Sequence, residues 1–333
     1  MKIAVITSTR ADFGLLKNLI IKLKKNFNCK VVGSGTHFSN YYGNTYKEIY
    51  DSKIKIDYKI SSQINTKSAN SISKILSSTL VKTSEVLKKI KPDIVIVLGD
   101  RYEILGSSLA AYINRIPLAH IHGGELTYGV LDDAFRHSIT KLSQIHFVSN
   151  KDSYDRVVKL GEKKHYVFNV GCPRIDLVKD IIKQKLKKKS EIYVNKHGVG
   201  DNIDFENKFI IVSQHPVTTE YSETISHIKE TLKAIEKINI QAIFLWPNTD
   251  AGSEQISKQI RIWRERKKMK KIRFSRNIPS DYYITLMKNA SCIVGNSSSA
   301  IREGSYIGIP AINIGTRQNK RLRGKNVIDV RNN

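Results

Sequence analysis

Acids and cations crowd one stretch of this chain. From Val97 to Lys141 it reads VLGDRYEILGSSLAAYINRIPLAHIHGGELTYGVLDDAFRHSITK. An apolar run (Ile94 to Leu98) ends in Gly99-Asp100-Arg101. A second (Ile116 to Ile121) ends in His122-Gly123-Gly124-Glu125. The pair Asp132-Asp133 then opens a helix-like segment carrying Arg136, His137 and Lys141. Carboxylates, imidazoles and guanidinium groups so close together suit proton transfer on an anionic substrate. Asp100 directly follows a buried strand. It could cap a helix, but Arg101 and Glu103 beside it favour a charged site. Asp132 and Asp133 are also first-turn acids of the kind a helix dipole favours. His120 and His122 would share one face of a strand, but no third ligand is placed by the sequence and no metal site is expected.

A second constellation lies near the end, GNSSSAIREGSYIGIPAINIGTRQ (Gly295 to Gln318). A Gly-Asn-Ser turn that follows a strand and opens a helix presents backbone N–H groups, hydroxyls and partial positive charge, which fits a diphosphate. Ser297 and Ser298 would sit at that turn. Glu303, farther along the helix, could accept from ribose hydroxyls, and Arg317 at the next strand end could pair with phosphate. An isolated Asn-Ser-Ser-Ser would read as an ordinary N-cap; Glu303 and Arg317 nearby favour a ligand. Arg10, in the first strand-to-helix loop, is another phosphate candidate. His215 ends a strand in Gln214-His215-Pro216. Asn248 and Asp250 occupy a similar strand end and could equally be turn formers.

These residues need strands to carry them. Lys2 to Thr7, Cys29 to Gly33, Ile94 to Leu98, Ile116 to Ile121, Ile145 to Ser149 and Tyr166 to Val170 read as strands, and the segments between them show helical period. Helices are expected over Glu103 to Asn114 and Ser71 to Ile90, with Ser61 to Asn70 a mobile loop. After Gly171-Cys172-Pro173-Arg174 a second series begins: Phe209 to Ser213, Ala242 to Trp246, Lys271 to Ser275, Ser291 to Val294 and Ala311 to Ile314. Such alternation predicts an α/β chain of two Rossmann-like, doubly wound domains, 1–172 and 173–333, facing across a cleft. Ligands in such sheets sit beyond the carboxyl ends of the strands, where all the residues above are placed.

Length and composition agree with two domains: 333 residues, 40% hydrophobic. No apolar run approaches the roughly 20 residues of a membrane span, and the N-terminus reads as a buried strand rather than a signal peptide, so no membrane partner and a cytoplasmic location are expected. Cys29, Cys172 and Cys292 form no CxxC pair. The net charge of +26 admits a polyanion partner. Its main runs are Lys183 to Glu191, an exposed helix end near a linker, and Arg261 to Arg276, a solvated helix face leading into a strand; neither matches a nucleic-acid module, so no nucleic acid is expected.

Taken together, TRADFGLL (Thr9 to Leu16), LGDRYE (Leu98 to Glu103), HIHGGE (His120 to Glu125), DDAFRHSITK (Asp132 to Lys141), GCPR (Gly171 to Arg174), QHPVTTE (Gln214 to Glu220), PNTDAGS (Pro247 to Ser253), GNSSSAIRE (Gly295 to Glu303) and INIGTRQNKRLRG (Ile312 to Gly324) resemble the UDP-N-acetylglucosamine 2-epimerase family. The resemblance is to its hydrolysing branch, which serves sialic and legionaminic acid synthesis. It implies a GT-B-like pair of domains with UDP held mainly by the second, no cofactor, and a homo-oligomer, dimer or tetramer. It implies elimination of UDP to a 2-acetamidoglucal and addition of water, giving N-acetylmannosamine. By resemblance Asp100, Asp132 and Asp133 are catalytic and His215 assists at the diphosphate. Arg10, Arg101, Asn248, Asp250, Ser297, Ser298, Glu303 and Arg317 match nucleotide contacts. Many members carry a glutamate where this chain has His122, so either Glu125 or His122 takes that role. UDP-2,4-diacetamido-2,4,6-trideoxyglucose is the alternative substrate; a GT-B glycosyltransferase or a nucleotide-binding protein is the remoter alternative. Family members usually continue past the segment matching Asn326 to Val330 into helices that pack on the first domain. A chain ending at Asn333 is therefore expected to keep its nucleotide contacts and turn over more slowly.

Overall fold

The computed structural model describes residues 1–38, 45–60, 69–126, 132–247, 252–266, 271–276 and 278–332. The chain forms two compact units, Met1–Leu177 and Val178–Asn333, which divide within the helix Pro173–Ile182.

The first unit holds β1 (Lys2–Thr7), β2 (Asn28–Gly33), β3 (Tyr58–Lys59), β4 (Ile94–Leu98), β5 (Leu118–Ile121), β6 (Ile145–Val148) and β7 (Val167–Asn169). They form one parallel sheet in the order β3-β2-β1-β4-β5-β6-β7. A parallel sheet with helices on both faces must be apolar on both, and β1 shows this residue by residue. Ile3 and Val5 pack with Phe13, Leu16 and Ile20 of the helix Arg10–Asn26. Ala4 and Ile6 pack on the other face with Leu87 and Ile90 of the helix Ala69–Ile90 and Ile104 of the helix Tyr102–Ile113. Each such aliphatic side chain, fully buried, contributes about 1.5–3 kcal/mol.

The second unit holds β8 (Val199–Gly200), β9 (Phe209–Ser213), β10 (Gln241–Leu245), β11 (Ile272–Ser275), β12 (Cys292–Gly295), β13 (Ala311–Ile314) and β14 (Val327–Val330), in the order β14-β13-β12-β9-β10-β11-β8. All pairs are parallel except β8 with β11. Ile210 and Val212 face Ile228, Leu232 and Ile235 of the helix Thr224–Ile238. Phe209 and Ile211 face Leu286 and Met287 of the helix Ser280–Asn289.

Several expectations change. The segment taken as a mobile loop ends two residues earlier, because Ala69 and Asn70 already belong to the helix Ala69–Ile90; residues 61–68 lie outside the described residues. The short helix Tyr46–Asp51 and the two-residue strands β3 and β8 are too brief to show a period. Arg273, counted in a solvated basic run, is buried. Its guanidinium donates to Val194 O (3.2 Å), Gly200 O (2.6 Å) and Asn195 O. A cation on the last carbonyls of the helix Lys187–His197 is favoured by the helix dipole, and it fastens the edge strand β8 in the same step.

Candidate active site

The strand order of the first unit reverses between β1 and β4, the kind of switch point where open α/β sheets take ligands. Asp100 stands just beyond β4 and caps nothing: the helix Tyr102–Ile113 has Arg101 at its N-cap, with no side-chain cap bond. Its Oδ2 accepts from Nη2 of Arg136, in the helix Asp132–Leu142. The other terminal nitrogen, Nη1, donates to Glu125 O at 2.8 Å and lies 3.4 Å from Asp133 Oδ1. Arg136 is 4% exposed, so this fork is fixed by packing as well as by charge. One guanidinium therefore ties together the end of β4, the turn after β5 and the first turn of the helix.

Asp132 is set apart from that pair. Burial raises its pKa, Arg101 lowers it and the Glu103 carboxylate raises it, with a net rise. Arg101 keeps its charge more firmly than usual: burial opposes the charge, but the fully buried Glu103 accepts from Nε at 3.1 Å and outweighs it. Glu125 Oε1 accepts from Ser149 Oγ at 2.8 Å and lies 3.8 Å from His122 Nδ1. His122 is not the strand residue expected. It sits past β5 with φ +67°, so it does not share a strand face with His120, and the two cannot form the paired ligands considered above. Among the described residues no group of three or more His, Cys, Asp or Glu is placed to hold a metal. Arg10 is the first residue of its helix rather than a loop residue, and its Nε lies 2.8 Å from Glu48 Oε1. Below it, Asp12 is buried and accepts from Ser8 N (2.9 Å), Ser8 Oγ (2.8 Å), Thr9 N (3.1 Å) and Thr7 Oγ1, which fixes the turn after β1.

In the second unit the order reverses between β9 and β12. Asn296 bridges the two strand ends, its Oδ1 accepting from His215 N (2.7 Å) and its Nδ2 donating to His215 O (2.8 Å). That approach requires glycine before it. Gly295 has φ +134°, and a Cβ there would stand 2.1 Å from Ser213 O. Asn296 O accepts from Gln318 Nε2 (2.8 Å) and Arg317 Nη1 (3.3 Å). Ser297 caps the next helix, and its Oγ lies 2.9 Å from Ser299 Oγ. This corrects one expectation. The helix expected to point its N-terminus at a diphosphate is only Ser298–Ile301; the backbone turns at Arg302, and Glu303 opens a second short helix, Glu303–Ile307. A single turn has little macrodipole, so charge and hydroxyls at this edge must come from Arg317, Ser297 and Ser298. Asn248 and Asp250 lie outside the described residues.

The model of the family described as UDP-N-acetylglucosamine 2-epimerase matches residues 20–333. The chain belongs to that family. It is a family of enzymes, with hydrolysing members among the most similar relatives. The GDP/UDP-N,N'-diacetylbacillosamine 2-epimerase (hydrolyzing) of Campylobacter jejuni is 35% identical over 334 residues, covering 98% of this chain and 84% of that protein. The UDP-N-acetylglucosamine 2-epimerase of Neisseria meningitidis serogroup B is 35% identical over 332 residues, covering 98% and 83%. The crystal structure of UDP-GlcNAc 2-epimerase from Neisseria meningitidis bound to UDP-GlcNAc matches with a TM-score of 0.80 at 20% identity, over 96% of this chain and 84% of that one. That likeness shows the fold: two parallel-sheet α/β units of the GT-B-like kind.

Within this 2-epimerase family member, the first unit gathers Asp100, Glu125 and Asp133 around Arg136, with Asp132 beside Arg101. The second unit gathers His215, Ser297 and Arg317 around Asn296 and the following turn. Arg136 was noted on its charged helix and Asn296 within its turn, but neither was assigned a site role from sequence. Arg136 carried a signal, standing three residues after Asp133 on the same helix face. No helix among the described residues is long and apolar enough to cross a membrane.

Two buried histidines near these edges give the enzyme a pH signature. His37 lies between Thr7 Oγ1 (3.0 Å) and Thr45 Oγ1 (2.9 Å), and burial pushes its pKa down to about 4. Burial pushes His120 down to about 3. Both folded values lie below the unfolded one, so their stabilising contribution is complete above about pH 6.5 and is lost as the pH falls. Going to pH 5 should cost about 2 kcal/mol for each. Asp12 and Asp132, whose pKa values burial raises, act in the opposite sense, so the difference between wild type and a variant is the readout. In urea titrations His37→Gln should lose about 2 kcal/mol less than wild type between pH 7 and pH 5. Equal losses would show that His37 accepts a proton without cost.

Proposed function

We propose that this enzyme is a hydrolysing UDP-N-acetylglucosamine 2-epimerase that releases UDP and N-acetylmannosamine, a precursor suited to sialic-acid-type sugars. The observation that carries the reading is the unequal treatment of the acids in the first unit: Arg136 pairs with Asp100 and Asp133, while burial makes Asp132 easier to protonate. Acids with divided environments are what successive base and acid steps need. In the first step Asp100 takes the proton from C2, the C1–O bond breaks, and its electron pair leaves with the diphosphate. The product is a 2-acetamidoglucal. In the second, a protonated acid, assigned to Asp132, returns a proton to C2 while water adds its oxygen to C1. Glu125 or His122 takes the proton from that water. His215, Ser297, Ser298, Arg317 and Arg10 meet the charge on the departing UDP, with Arg101, Glu303, Asn248 and Asp250 as further nucleotide contacts. No cofactor enters the scheme. A homo-oligomer in the cytoplasm, with no nucleic-acid or membrane partner, completes the reading, and the catalytic and UDP-binding roles are assigned to segments 1–172 and 173–333.

A second substrate is favoured by the Campylobacter relative, whose name specifies N,N'-diacetylbacillosamine, which is 2,4-diacetamido-2,4,6-trideoxyglucose. The test is UDP release from each UDP-sugar. A larger kcat/KM on UDP-N-acetylglucosamine supports the first reading, the reverse supports the second, and turnover of neither defeats both. Arg317→Ala and Ser298→Ala should weaken UDP itself. For Arg317 the loss should be about 1.5–3 kcal/mol, or roughly 10- to 100-fold in Kd, because the hydrogen bond lost is charge-assisted. Unchanged UDP affinity by calorimetry in both variants would put the nucleotide elsewhere.

A further inference from the structure

His120 is fully buried in the middle of the first sheet, and no step above uses it. Its ring reaches two elements. Nε2 lies 2.8 Å from Gly99 O, a carbonyl with no proton to give, so Nε2 carries the hydrogen and donates. Nδ1 lies 3.2 Å from Thr140 Oγ1, which in turn lies 3.0 Å from Arg136 O. Burial favours the neutral ring, so Nδ1 accepts, and the one Thr140 hydroxyl hydrogen serves either Nδ1 or Arg136 O. Gly99 is the residue before Asp100, has φ +90°, and lies beyond the last residue of β4. Thr140 and Arg136 belong to the helix whose guanidinium holds the Asp100 carboxylate. The packing is close: a Cβ on Gly123 would stand 3.0 Å from both His120 Nδ1 and Thr140 Oγ1.

We propose that His120 is a positioning residue for Asp100, its imidazole joining the Gly99 carbonyl to Thr140 on the helix that carries Arg136. This rests on reading Asp100 as a catalytic acid–base residue. The peptide before Asp100 and the helix that carries its cation are thereby joined by one rigid ring. Without it the Gly99 carbonyl loses this donor, leaving the Gly99 N–H on Ile121 O as a restraint, and the Asp100 carboxylate shifts with the loosened peptide. A displacement of about 1 Å at a reacting group costs about 10²-fold in rate. Nucleotide affinity, assigned to the second unit, is untouched.

The test uses the full chain and the UDP-sugar that wild type turns over. His120→Phe keeps a ring and removes both hydrogen bonds; kcat should fall by about 10²-fold with UDP affinity within about twofold. His120→Gln places an amide N–H near the position of Nε2 and should recover to within about fivefold of wild type. Thr140→Val removes the second contact with little change of volume and should cost about fivefold or more. A role in packing alone would lower the melting temperature of all three and leave kcat near wild type at a temperature where each is folded. That result overturns the proposal, as does a folded His120→Gln no better than His120→Phe. Should His120→Phe fail to fold, Thr140→Val decides, and turnover within about twofold of wild type counts against the strut. Asp100→Asn run alongside separates the two layers. Near-normal turnover there defeats the catalytic reading of Asp100; an inactive Asp100→Asn with an active His120→Phe defeats only this inference.

Discussion

Asp100→Asn should bind UDP as wild type does and lose about 10³-fold or more of turnover, in the upper part of the range attributed to a single acid–base group. The amide preserves shape and can still lie against Arg136, so folding and the neighbouring side chains are little disturbed. It cannot accept the C2 proton. Because C–H cleavage and loss of UDP belong to the same first step of the proposed scheme, both UDP release and sugar formation should fall together. Steady-state kcat beside calorimetric UDP affinity checks this. Turnover within threefold of wild type, about 0.65 kcal/mol of barrier, would remove Asp100 from the chemistry.

Arg136→Met should be the most damaging single change. Methionine fills much of the volume but leaves Asp100 and Asp133 facing each other without their shared cation, and the Glu125 carbonyl without its donor. Removing one partner of a buried pair costs about 3–5 kcal/mol. Here the two carboxylates keep some contact with water, so about 2–3 kcal/mol is expected. Turnover should fall with it, because like-charged acids then compete for a proton and the division between Asp132 and its neighbours is lost. Arg136→Lys restores the charge without the fork. It should regain much of the stability and little of the activity, since a single ammonium cannot reach Asp100, Asp133 and the Glu125 carbonyl in one geometry. Denaturant titration and kcat on both variants make the comparison. Equal activity of Arg136→Lys and wild type would show that charge alone matters at this position.

Sheet architecture was legible in the sequence for a physical reason: strands buried on both faces read as apolar runs, and Lys2–Thr7, Ile94–Leu98 and Phe209–Ser213 fall where those runs lie. Strand-end placement then put Asp100 and His215 at switch points, with His122 and Arg317 at the ends of the neighbouring strands β5 and β13. Partnership was not legible. Arg101 and Glu103 favoured a charged site at Asp100 over a helix cap, but its actual cation, Arg136, lies 36 residues away and no local pattern names it. Asn296 looked like a turn residue because its bridging of β9 and β12 needs a contact across 81 residues. Arg273 looked solvated because a charged run has no apolar period, yet a helix end and an edge strand converge on it. The break at Arg302 was missed because Ser298 to Ile307 contains no proline, and its only glycine, Gly304, lies past the break.

The most direct measurement of the central claim is the fate of hydrogen and oxygen in the product. Turnover in D₂O enriched in H₂¹⁸O, followed by mass spectrometry and proton NMR, should yield UDP and free N-acetylmannosamine, or its 4-acetamido counterpart from the alternative substrate. Each sugar should carry one solvent deuterium at C2 and one solvent oxygen at C1, because the C2 proton is removed and replaced and the water oxygen attacks C1. A free sugar that keeps its original C2 hydrogen, or a product still joined to UDP, would contradict the account.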